Sequence, residues 1–195
     1  SDLCHLYNRT GQYDKTIETL RETRALWREL GNTPMLADNL ATSSYVHAFT
    51  GDYSGAAEYS REAFRISESI QNAWGCSYSQ AMIGQVYWEQ GDPDLAMETM
   101  RSSMDYAEKA GFVVAQVYTR SELGVVLGEL GDVEQGLATV RESIRIAEDG
   151  RPQLLRYPLS QLARLHLLAG DIDAAAVAVA ELRERTGPLH MVQPT

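Results

Sequence analysis

Cysteine is nearly missing from this chain: Cys4 and Cys76 stand alone, 72 residues apart. A small secreted domain held by disulfides needs more of them at closer spacing, so both read as free thiols in a reducing compartment. Basic charge is scarce too. Lys and Arg number 17 against 27 Asp and Glu, a formal net charge of −10, and the cations are scattered among acids. That balance predicts no nucleic-acid partner and no membrane partner, because both need a basic face. No apolar run approaches the roughly 20 residues that cross a bilayer. No signal peptide opens the sequence. It begins at Ser1-Asp2-Leu3-Cys4, already inside a helical pattern, which predicts a piece of a longer cytoplasmic protein.

Catalytic and metal-binding signals are lacking as well. There is no His-Glu-x-x-His, no Cys-x-x-Cys and no metal-spaced acidic loop. The four histidines are dispersed. His47 and His166 share a repeat position filled elsewhere by Tyr or Leu, which favours packing; His5 falls at a groove position and His190 in the tail. Gly124, Gly128 and Gly131 lie on a helix and its turn with no strand before them, so they form no phosphate loop. The expectation is a non-enzyme without cofactor or metal.

What is present is a repeat, and repeats decide the architecture. Gly11-Gln12, Gly51-Asp52, Gly91-Asp92, Gly131-Asp132 and Gly170-Asp171 are spaced by 40, 40, 40 and 39 residues. Half a period out of phase come Gly31-Asn32, Gln71-Asn72, Gly111 and Gly150. Each repeat thus holds two segments between turn signals. In 133–149, Val133, Leu137, Val140, Ile144 and Ala147 fall at steps of 3 and 4, one apolar stripe on a helix. Asp52, Asp92, Asp132 and Asp171 are placed to cap the second helix of each pair. Pro34, Pro93 and Pro152 suit first-turn sites, and the turn glycines suit the left-handed conformation that closes a helix.

Two columns of small residues flank each turn. Cys4, Ser44, Gly84, Gly124 and Ala163 lie seven before the turn glycine; Thr16, Ala56, Ala96, Gly136 and Ala175 lie five after it. Facing columns of this kind let two antiparallel helices cross closely. Larger residues in the columns beside them form the expected core: Leu3, Ser43, Ile83, Leu123 and Leu162, then Tyr13, Tyr53, Pro93, Val133 and Ile172.

This arrangement resembles the tetratricopeptide repeat, most closely at Leu123-Gly124 with Leu127, Gly131-Asp132 and Gly136, and at Gly51-Asp52-Tyr53 with Ala56 and Ala63. The 40-residue period is longer than the family's usual 34, and the family's early tryptophan is replaced by Leu40, Gln80, Arg120 and Leu159. Long repeats of this kind look like those of bacterial signal-transduction ATPases, transcription activators and cyclases. The resemblance implies an all-α, right-handed superhelical solenoid of antiparallel hairpins, about nine or ten helices. Its units fall near 1–31, 32–71, 72–111, 112–150 and 151–186, with 187–195 a tail or the start of a further unit.

The family binds peptides or helices in a groove lined by the leading helix of each pair, and aromatic side chains give such a groove contact area at low entropic cost. The candidates here are Tyr45, Phe49, Tyr78, Gln85, Trp88, Glu89, Tyr118, Glu129, Tyr157 and Arg164. A tyrosine column at the repeat period also serves as packing between adjacent leading helices. Trp27 and Trp74, near inter-repeat turns, read as core or end-cap residues. The implied role is a protein- or peptide-binding scaffold whose partner carries apolar anchors and some Lys or Arg. Alternatives are self-association through terminal repeat faces, where Ala176, Val177, Val179, Ala180 and Leu182 are apolar, and, with less support, a small-molecule sensor.

Overall fold

A computed structural model describes Tyr7 and residues 10–186, and its regular elements are helices throughout. These are α1 (Tyr13–Glu29), α2 (Thr33–Phe49), α3 (Tyr53–Ser69), α4 (Ala73–Ala81), α5 (Ile83–Glu89), α6 (Pro93–Ala110), α7 (Val113–Glu129), α8 (Val133–Gly150), α9 (Arg156–Leu168) and α10 (Ile172–Thr186). A 3₁₀ turn, Pro152–Leu154, precedes α9. Leu3, Cys4, His5, Asn8, Arg9 and the tail with His190 lie outside the described residues. The chain packs as two compact units, one reaching Ala115 and one beginning at Gln116.

Turn chemistry sets the helix boundaries. The carboxylates of Asp52, Asp92, Asp132 and Asp171 accept the backbone N–H three residues on, at 3.0, 3.1, 3.1 and 2.9 Å. All four expected caps are therefore made. At the other turns Asn32 and Asn72 cap α2 and α4 in the same way, at 3.2 and 3.1 Å. The glycines ending the preceding helices have positive φ, from 62° at Gly31 to 99° at Gly131, and Gln71 takes the same place at 56°. Gly150 departs from this expectation. It ends α8 as a helical residue, and Arg151 (φ −152°) leads into the 3₁₀ turn at Pro152. Pro152 thus opens the 3₁₀ turn rather than a long helix, and Pro158 occupies the first turn of α9. This is also the interval shortened to 39 residues.

The leading helix of the third repeat is split at Met82 (φ −94°, ψ −30°). A carbonyl already engaged from outside is a common cause of such a break. Ser79 O, the acceptor a regular helix offers to Ile83, receives the Ser60 hydroxyl at 2.7 Å.

The small columns do what their spacing predicts. Ser44 Oγ donates to Ala56 O across the turn at 2.8 Å. A Cβ built on Gly84 would stand 3.2 Å from Ala96 O, and one on Gly124 would stand 2.8 Å from Gly136 O. On Gly136 it would meet Gly124 O at 2.5 Å. Ala163 and Ala175 are both buried. At the Gly84–Ala96 and Gly124–Gly136 crossings one helix lies against the backbone of the other, so a side chain larger than the native one does not fit there without movement.

Burial follows from these crossings. In the first unit Leu20 packs with Val46, Leu40 and Ala41 with Ala63, and Ala56 and Ala57 with Ile83 and Val86. In the second, Val125, Val140, Leu162, Ala163, Leu165 and Ala178 form one cluster, joined by Leu137 and Ile144 from the stripe on α8. Gly128 belongs to that packing too: an added Cβ would lie 2.3 Å from Leu165 Cδ2. Ile172 is a correction. Expected in the core, it is 71% exposed. Buried Cys76 is a free thiol pushed up in pKa, first by burial and second by Glu68, which keeps it protonated and inert.

Gly136→Ala is expected to lower stability by about 1–3 kcal/mol despite the gain in helix propensity. In a thermal melt this is a fall of about 2–4 °C per kcal/mol for a chain of this size. Asp52→Ala is expected to remove about 1 kcal/mol. The Asp52 carboxyl is held below its ordinary pKa, first by the Gly55 N–H and second by His47. A depressed carboxyl stabilises above its unfolded pKa and stops doing so as pH falls through the folded value. The stability gap between wild type and Asp52→Asn should therefore be full at neutral pH and close below about pH 4.

Candidate partner-binding site

Four of the six aromatic candidates fall into two groups, one in each unit. In the first, Tyr45 on α2 and Tyr78 on α4 stack with ring centroids 5.3 Å apart. Trp74 joins them, 4.9 Å from Tyr78, and Phe112 lies 5.1 Å from Trp74 and 6.4 Å from Tyr78. The Tyr78 hydroxyl meets Thr42 Oγ1 at 3.3 Å. Burial raises the Tyr78 pKa and the Thr42 contact offsets part of that, so the phenol stays neutral. Trp74 remains 38% exposed, with Tyr45, Tyr78 and Phe112 half-buried beneath and beside it.

Trp74 corrects the expectation of a core or end-cap residue. It sits one helical turn before Tyr78, so the two rings share a face of α4. Phe112 is a site residue that sequence reasoning missed, although a signal for it existed. It follows the turn at Gly111 where Asn32 and Asn72 follow theirs, and those asparagines cap their helices. Phenylalanine has no acceptor for that role.

In the second unit Tyr118 on α7 and Tyr157 on α9 lie 4.3 Å apart, and Tyr118 is 39% exposed. The Tyr157 hydroxyl donates to Glu122, a carboxylate 9% exposed that also accepts from Gln161 Nε2 at 3.2 Å. A cleft of about 560 Å³ runs beside the rings, bordered by Pro152, Leu154, Arg156 and Ser160. The 3₁₀ turn that replaces the usual glycine turn forms one wall of it.

The other candidates are placed differently. Phe49 is 60% exposed and Trp88 half-buried, and neither makes a ring contact among the described residues. Gln85 is half-buried, and Glu89 is exposed with no ion pair among the described residues. Glu129 and Arg164 come together as an ion pair, so each answers the other's charge within the chain. Val125, next to the small residue Gly124, is a core residue at 3% exposure. His47 packs 4.9 Å from Tyr59 and its Nδ1 meets Asp52 Oδ2 at 2.7 Å. No group of three or more His, Cys, Asp or Glu among the described residues is arranged to hold a metal.

Three sequence models of the tetratricopeptide repeat match the chain, over residues 1–69, 77–109, and 117–142 with 157–181. The chain belongs to the tetratricopeptide repeat family. No curated protein matches it by sequence. Among solved structures it is similar to BtubC from P. vanneervenii, at TM-score 0.76 and 16% identity over 99% of this chain and 80% of that one. It is similar also to a Rap protein complexed with competence and sporulation factor, at TM-score 0.83 and 12% identity, over 93% and 51%. A third is PH0952 from Pyrococcus horikoshii, a signal transduction ATPase with a tetratricopeptide repeat sensor, at TM-score 0.77 and 14% identity, over 94% and 28%. At these identities the likeness is one of fold.

Tyr157→Phe is expected to destabilise the chain by about 1–2 kcal/mol, because it removes a hydrogen bond to a buried carboxylate. Tyr118→Phe, whose hydroxyl carries no such bond, should cost well under half of that in the same denaturant melt.

Proposed function

We propose that this chain is a non-catalytic scaffold that captures a segment of a partner protein on its leading-helix faces, as part of a larger cytoplasmic regulator. The observation that carries the reading is the cluster of Tyr45, Trp74, Tyr78 and Phe112, with Trp74 exposed at its surface and a helix cap given up for Phe112. Rings held by their neighbours lose little entropy when a partner covers them, which is the behaviour of interface anchors. The Tyr118–Tyr157 pair and its cleft offer a second place of the same kind. Apolar or aromatic anchors in the partner suit both. Glu89 suits a partner Lys or Arg, whereas Glu129 is already answered by Arg164. The Rap protein solved in complex with competence and sporulation factor, and the ATPase whose repeats are named as a sensor, support capture as a use of this fold.

A second reading, pairing of copies, is favoured by Leu167, Leu168, Ile172 and Val177 in the second unit, exposed by 60, 49, 71 and 67%. Light scattering across a concentration series distinguishes it: a strict monomer at high concentration speaks against pairing.

Trp74→Ala and Phe112→Asn test capture. Phe112→Asn restores a cap worth about 1 kcal/mol against the ring contacts it loses, so the melt should move little. Affinity for the captured partner should fall at least about ten-fold with either variant, the scale of a truncated interface anchor. Unchanged affinity in both folded variants would remove the first cluster from the site.

A further inference from the structure

The trailing-helix side of the first unit holds a feature that capture by the leading helices does not use. Arg24 on α1 is half-buried, yet its guanidinium meets only neutral acceptors: Nε donates to Asn39 Oδ1 at 3.1 Å and Nη2 to Ser43 Oγ at 2.7 Å. Its Cζ lies 4.3 Å from the Tyr59 ring centroid on α3. No ion pair reaches it among the described residues. A cation drawn from water without a counter-charge is costly, and an arriving anion relieves that cost.

The surroundings hold this guanidinium still. Asn39 Nδ2 donates to Leu20 O at 3.0 Å and to Thr23 Oγ1 at 2.9 Å, and Ser43 Oγ donates to Asn39 O at 2.8 Å. Only two of the five guanidinium N–H groups are used in these contacts. Arg24 lines a cavity of about 300 Å³. Arg21, one turn earlier on α1, adds a second cation at its edge, also without an ion pair among the described residues. The rest of the wall is Ile17, Leu20 and Tyr59 with Ser43 and His47, whose Nδ1 is held by Asp52 Oδ2 at 2.7 Å.

We infer that this cavity binds a small organic carboxylate, its head on the Arg24 fork and its branched apolar body against Ile17, Leu20 and Tyr59. The fork matches a carboxylate in two parallel hydrogen bonds. A bare inorganic anion leaves the apolar wall uncovered. The volume is at the small end for ligand pockets, the size for a short-chain acid.

The test is an NMR titration of the whole 195-residue chain, labelled with ¹⁵N and followed at the Arg24 Nε–H resonance. The probes are 3-methylbutanoate, acetate and inorganic phosphate. Saturable binding of 3-methylbutanoate is expected, roughly ten-fold tighter than acetate, the equivalent of about two buried methylenes. Arg24→Lys, which keeps the charge but loses the fork, should weaken it about ten-fold or more, and Arg21→Gln several-fold. Arg21 makes none of the Asn39 and Ser43 contacts, so if Arg24→Lys loses helix content the Arg21 variant decides alone. The inference fails if no saturation occurs, if acetate or phosphate binds as well as 3-methylbutanoate, or if the folded variants bind like wild type.

Discussion

The close approach of two helices through small residues, seen at Ser44, Gly84, Gly124 and Gly136, is the constraint from which the rest follows. At Gly124 and Gly136 there is no room for even a methyl group, and at Ser44 a hydroxyl bridges to Ala56 O instead. That approach fixes how each leading helix lies on its trailing helix. It thereby fixes which residues of the leading helix are left over. Val46 and Val86 turn inward, and Tyr45 and Tyr78 are left to meet each other on the outside of that packing.

Polar chemistry inside the packing is used to place backbone, not to react. Ser60 holds Ser79 O, Ser103 holds Ser77 O and Ser143 holds Val117 O, each hydroxyl tying one helix to another in its unit. The buried Glu122 is satisfied by Tyr157 and Gln161, which couples the orientation of an aromatic candidate to the core beneath it. Where a local rule is broken, a surface feature takes its place. Phe112 stands where a cap is usual, and the 3₁₀ turn at Pro152 stands where a glycine turn is usual; the first carries a ring and the second walls a cleft. Departures from local consistency concentrate at functional positions in natural proteins.

The fold was legible in the sequence because its demands are local. A left-handed turn asks for Gly, a helix start asks for Asp or Asn, and a tight crossing asks for Gly, Ala or Ser, so the period shows in residue type alone. The interruption at Met82 was hidden, since no residue type at that position marks it; Ser79 O nearby accepts from Ser60 on another helix. Of the site, the tyrosine column was visible but its partners were not. Trp74 read as core because it lies beside a turn, and the rings it meets come from α4 itself and from the turn at Phe112. The Glu129–Arg164 pair joins residues 35 apart in the chain, in different columns, so no single-repeat pattern reveals it. Ile172 shares a column with Tyr53, which packs against a buried cluster, yet is 71% exposed among the described residues.

The account turns on where a partner touches the chain. Site-specific photo-crosslinking in the native cell tests this most directly, with the crosslinking amino acid at Trp74 on α4 in one variant and at Arg61, exposed on the trailing helix α3, in the other. A discrete crosslinked species from position 74 and none from position 61 is the predicted result. Crosslinks from position 61 alone, or equally from both, would contradict it.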